Sequence, residues 1–128
     1  MRTILSLLVA LVLALGAAPG VRAQYVMDIG NLIAAIQVGD LNDAVEGVHR
    51  ANRVYVARLS ELSGLSTSGD ILTRTIVRRQ GVLRYFRSAI RGAAEARRAL
   101  EIHGESLDDV VFATFTNDRT ATLYVDDR

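Results

Sequence analysis

Apolar residues recur along most of this chain with a helical period, and near its end with a period of two. Ile29, Leu32, Ile33 and Ile36 lie at helical spacing between Asp28, which can cap a first turn, and Gly39, which can end a helix. The pattern predicts a short helix there. Asp40 precedes a second stripe of Leu41, Val45, Val48, Asn52, Tyr55, Leu59 and Leu62. Its steps alternate four and three, the spacing of a heptad seam, and predict a helix over 40–63 that stops at Gly64. Ser63 to Gly69 is the loop signal that follows. The third pattern runs over 70–103, with Leu72, Ile76, Leu83, Phe86, Ile90, Ala93 and Ala94 on one face and Gly104 as its stop. Unbroken, such a helix is about 50 Å long. Gly81 and Gly92 lie inside it and each costs up to about 1 kcal/mol against alanine. Either they let another backbone come close, or Gly81 marks a break.

Beyond Gly104 the period changes. Val110 to Thr116 and Thr120 to Val125 are rich in β-branched and aromatic residues, and Asn117-Asp118 suits a tight turn between them. A two-residue loop sets Val110 opposite Val125 and Phe112 opposite Leu123. The expected fold is mainly α, of the α+β class. Helices 40–63 and 70–103 form an antiparallel hairpin, with a short N-terminal helix and a C-terminal two-stranded β-hairpin over 108–127. A two-stranded ribbon is marginal alone, so its apolar face must lie on the helices or on a second copy.

The N-terminus reads as an address. Arg2 gives a positive start, Ile4 to Leu15 is apolar apart from Ser6, and Pro19 and Gly20 break a helix. Val21-Arg22-Ala23 offers small residues where a signal peptidase reads. Residues 1–23 are expected to be a cleaved secretory signal. The apolar run is short of the ~20 residues that span a bilayer, so no transmembrane anchor is expected after cleavage. The expected location is periplasmic or extracellular. Residues 24–128 remain as one small domain, in which 13 basic residues face 14 acidic ones. Bulk charge therefore gives no argument for nucleic acid or membrane. The chain has no cysteine, so export brings no disulfide framework. Every basic residue is arginine, a bias of recognition chemistry or of codon usage.

Candidate chemistry sits first in the third helical pattern. Arg74, Arg78, Arg79, Arg84, Arg87, Arg91, Arg97 and Arg98 stand against Glu95 alone, a net of +7 over 71–98. Arg84, Arg87, Arg91 and Arg98 fall on one flank of a straight helix. That flank can seat an anionic polymer, a lipid headgroup surface or an acidic partner. Alternatively the fold answers it: residues 24–70 carry a net of −3 and residues 99–128 a net of −5. These flanking charges favour internal compensation. Arg79 and Arg97 project into the apolar face, where they either snorkel to the rim or clamp acids of the ribbon or of a partner. Asp108, Asp109, Asp126 and Asp127 gather at the open end of the ribbon. Like charges across strands repel, so arginines of the third helix, or less favourably calcium, should neutralise them. Asn52 lies at the centre of the seam, where a buried amide fixes register.

His49 and His103 are too far apart to make a metal motif. Gly64-Leu65-Ser66-Thr67-Ser68 lacks the last glycine of a nucleophile elbow and follows a helical pattern instead of a strand. No phosphate loop, zinc spacing or dinucleotide fingerprint appears. No cofactor, metal, catalytic residue or specific nucleic-acid partner is expected. The expected role is that of an exported, non-catalytic envelope protein acting through protein–protein interaction, with itself or with another envelope protein. The alternative is an electrostatic binder of anionic lipid or polymer through 71–98.

Overall fold

The computed structural model describes residues 26–128, and the expected signal at 1–23 lies outside them. Helix α1, Ile29–Val38, begins where the Asp28 carboxylate accepts a hydrogen bond from the Asn31 amide at 2.8 Å. This satisfies one of the donors that a helix start leaves open. Ile29, Leu32, Ile33 and Ile36 are all buried.

The helix expected over 40–63 does not form. Helix α2 spans only Asn42–Arg50, Ala51 is extended, and strand β1 follows at Arg53–Arg58. The stretch Arg-Val-Tyr-Val-Ala-Arg carries two β-branched residues and a tyrosine, so it suits a strand as well as a seam. Long-range pairing decides between them. The Arg119 carbonyl accepts from the amides of Asn52 at 2.9 Å and Arg53 at 3.3 Å, and β1 then runs parallel to strand β3, Thr120–Val125. The heptad spacing comes from three different elements lying end to end: α2, β1 and the 3-10 turn at Leu59–Glu61. Asn52 is exposed at the entrance to β1 and fixes no helix register.

The rod expected over 70–103 is three helices. After a 3-10 turn at Leu59–Glu61 and the left-handed Gly64 (φ 93°), α3 spans Leu65–Arg78, α4 Gln80–Ile90 and α5 Ala94–His103. Gly104, also left-handed at φ 68°, ends α5. The first break is at Arg79 (φ −99°, ψ 17°), two residues before Gly81. It is slight. Arg79 N still donates to Thr75 O at 3.0 Å and Leu83 N to Arg79 O at 2.9 Å, so α3 and α4 keep nearly the same outward face. The second break is complete, because extended Ala93 (φ −79°, ψ 106°) ends the ladder. Neither Gly81 nor Gly92 admits a neighbouring backbone. A Cβ at Gly81 would meet nothing within 4 Å, and one at Gly92 would meet only the His49 ring at 3.9 Å.

Strand β2, Val110–Phe115, pairs antiparallel with β3, and the sheet order is β1-β3-β2. The expected isolated ribbon is therefore part of a three-stranded mixed sheet. Its turn has three residues, with Arg119 at φ 67°, Thr116 N bonded to Thr120 O at 2.9 Å and Arg119 N to Thr116 O at 3.2 Å. That extra residue shifts the pairing by one, so Phe112 faces Tyr124 instead of Leu123. A bulge between Val110 and Phe112 absorbs the shift, and Val110 still faces Val125. Central β3 is buried from Ala121 to Val125. Helix α2 packs on β2, α5 on β1, and α1 on α3. At the α2 contact Gly47 is required by space, since a Cβ there would sit 2.7 Å from Phe115 Cβ.

Candidate functional site: the arginine face of α3 and α4

Leu72 and Thr75 of α3, and Leu83, Phe86 and Ile90 of α4, point inward and are buried. On the outward side of the same helices and of the turn that follows α4, Arg74, Val77, Arg78, Arg84, Tyr85, Ser88 and Arg91 are all exposed. Val77 is 62% and Tyr85 65% exposed. No acidic residue occurs between Ile71 and Ala94; Asp70 is the nearest on one side and Glu95 on the other. The ion pairs among the described residues involve Arg58, Arg98 and Arg128. None reaches Arg74, Arg78, Arg84 or Arg91. The expectation that the fold answers its own cationic stretch therefore fails for these four.

The remaining arginines of the stretch are spoken for, or lie elsewhere. Arg79, half-buried, donates from Nε to Ile36 O at 3.0 Å and from Nη2 to Gly39 O at 2.9 Å. It closes the C-terminal end of α1. It neither snorkels to a rim nor clamps the ribbon's acids. Arg97 is exposed on α5, outside the apolar face, because the break at Ala93 resets the helical phase. Arg87 turns toward the sheet and donates to Val110 O at 2.7 Å. Burial lowers its pKa, against the opposing pull of Asp108, Asp109 and Asp126. Arg98 lies on α5 beyond the break, 3.5 Å from Glu95. The expected single flank of Arg84, Arg87, Arg91 and Arg98 is thus divided. Arg84 and Arg91 stay exposed, and Arg74 and Arg78, not singled out from spacing, are exposed as well, round the outward half of α3–α4.

The acidic end of the sheet is a structural joint. Asp126 N donates to Asp109 O at 2.8 Å. Partial burial, then the neighbouring Asp126, hold the Asp109 carboxyl above its usual range despite Arg87. The Asp126 carboxylate takes Arg128 Nε at 2.8 Å and Nη2 at 3.0 Å. Asp127 turns away and accepts from Ser60 N at 3.0 Å and Ser60 Oγ at 2.5 Å. Burial pushes its pKa up, but the Ser60 hydrogen bonds outweigh that and leave it lowered. Beside it, Arg58 bonds Glu105 at 2.5 Å and His103 O at 2.7 Å. Sequence spacing gave no hint of Arg58, Ser60 or Glu105, because β1 brings the first two to this end only by pairing with β3. Among the described residues, no group of three or more His, Asp or Glu is placed to hold a metal ion.

The clefts lined by described residues include two beside the sheet. One of 410 Å³ lies beside β1 and is lined by Tyr55, Arg58, Glu61, Ser63 and Thr122 with apolar neighbours. The other, of 300 Å³, lies between α2 and the β2–β3 turn, with Asp43, Glu46, Arg50 and Arg119. No histidine lines either cleft. His49 Nε2 sits 2.7 Å from Ala89 O, and His103 Nδ1 2.9 Å from Ala99 O. Comparison of the chain with family models, with curated proteins and with solved structures finds no match.

Proposed function

We propose that this is an exported, non-catalytic envelope protein that acts by docking, and that the outward face of α3–α4 is the surface that docks an anionic partner. One observation carries the reading: four exposed arginines share a face, and 71–94 contains no acid to answer them. Guanidinium groups fork onto phosphate, sulfate or carboxylate oxygens. Near an anionic surface each contributes about 1 kcal/mol, so four give an attraction of about 4 kcal/mol that salt weakens. The test is titration with heparin, a soluble polyanion, at rising salt. Binding at low ionic strength that weakens with salt and is lost in Arg84→Glu/Arg91→Glu supports the reading. No binding at low ionic strength rules it out.

A second reading, association with itself or with another envelope protein, draws on β1. It is an edge strand with β3 on one side and the 410 Å³ cleft beside it. Edge strands accept extended partners by adding a strand. A strict monomer in sedimentation at high concentration counts against self-association.

A further inference from the structure

We infer that the anionic partner is the surface of a lipid bilayer, along which α3–α4 lies at headgroup depth; this rests on the anion-docking reading above. The observation behind it is apolar. Six large hydrophobic residues stand exposed among the described residues, and three of them, Ile71, Val77 and Tyr85, are on α3–α4. They are interleaved with the arginines: Val77 lies between Arg74 and Arg78, and Tyr85 follows Arg84. A soluble polyanion rewards the charges and ignores valine and isoleucine. A bilayer surface rewards both. Phosphates meet the guanidinium groups, while Val77, Ile71 and the Tyr85 ring enter the boundary below them.

Geometry supports this arrangement. Residues 65–90 keep one outward face across the slight break at Arg79, a length of about 39 Å at the ordinary helical rise. Arginine stems are long enough to stay at phosphate level while shorter apolar neighbours go deeper. Among the described residues no helix is long and apolar enough to cross a membrane, so the face lies on the bilayer and does not span it. Single-stranded nucleic acid fits less well. Its binding sites stack successive bases on several aromatic rings, and this face offers Tyr85 alone.

The test is flotation of the exported protein with vesicles of phosphatidylglycerol and phosphatidylcholine, against pure phosphatidylcholine vesicles and alongside heparin binding. The parent should float with the anionic vesicles at low salt. The variant Val77→Ser/Tyr85→Ser should float about tenfold less well while binding heparin as the parent does, since its charges are intact. Both side chains are exposed, so the variant should keep its fold, and circular dichroism checks this. Heparin binding without flotation, or flotation indifferent to Val77→Ser/Tyr85→Ser, overturns the lipid inference and leaves anion docking standing. Binding to neither ligand overturns both.

Discussion

Arg79→Met removes one guanidinium and keeps most of its apolar stem. In the native protein that group donates to the carbonyls of Ile36 and Gly39, at 3.0 and 2.9 Å. Ile36 lies in the last turn of α1, where carbonyls have no partner within the helix. Hydrogen bonds from a charged donor contribute about 1.5–3 kcal/mol each. Arg79 is only half-buried, so water can replace part of what is lost. A combined loss of about 2–3 kcal/mol is the reasonable expectation. For a domain of this size that lowers Tm by about 10–20 °C. Arg79→Lys should recover only part of it, because an ammonium does not fork onto two carbonyls as a guanidinium does. Arg78→Met, one residue away on the outward side, should stay within about 0.5 kcal/mol of the parent. Thermal unfolding followed by circular dichroism gives all three values. If Arg79→Met melts within ~3 °C of the parent, a shift worth less than about 1 kcal/mol, the closing of α1 by Arg79 contributes little and this reasoning is wrong.

Three further outcomes follow from the same structure. Gly47→Ala should destabilise by about 1–2 kcal/mol in urea unfolding, because the clash with Phe115 outweighs the gain of alanine in a helix; a stabilised variant refutes the contact. Asp109 has a raised folded pKa, so its ionised form opposes folding. Asp109→Asn should raise Tm near pH 7, and the advantage should vanish once the pH falls through the folded pKa and both native and unfolded Asp109 are protonated. Asp127 has the opposite sign: its stabilisation is present above the unfolded value of about 3.9 and is lost as pH falls through its lowered folded pKa. Asp127→Asn should therefore cost stability at neutral pH, Ser60→Ala should cost a similar amount, and equal melting of parent and both variants would count against the contact.

Local signals in the sequence match the structure where local forces decide. The Asp28 cap, the α1 stripe, the Gly104 stop and the period-two stretch at the end all correspond to elements found in the structure. The failures have a common cause. Residues 53–58 become a strand because β3 is available to pair with, and nothing within a window of 40–63 announces that partner. The register at Phe112 depended on one extra turn residue, Arg119, in a left-handed conformation that glycine or asparagine more often adopts. The arginines were visible at once, but their directions were not. Extended Ala93 removes Arg97 and Arg98 from the phase of α4, and the pull of Val110 O turns Arg87 inward. One signal was available and outperforms azimuth: the absence of any acid across 71–94 marks the stretch whose charge its own neighbours cannot answer.

The account turns on whether Arg74, Arg78, Arg84 and Arg91 serve a partner or the fold. Thermal unfolding at low ionic strength, comparing the parent with the variant carrying glutamine at all four positions, addresses this directly. Four like charges with no acid between 71 and 94, and with no ion pair to any of them, repel one another, so the variant should melt at the same temperature as the parent or higher. A variant that melts several degrees lower would mean that the fold itself uses these charges, and the docking face would lose its basis.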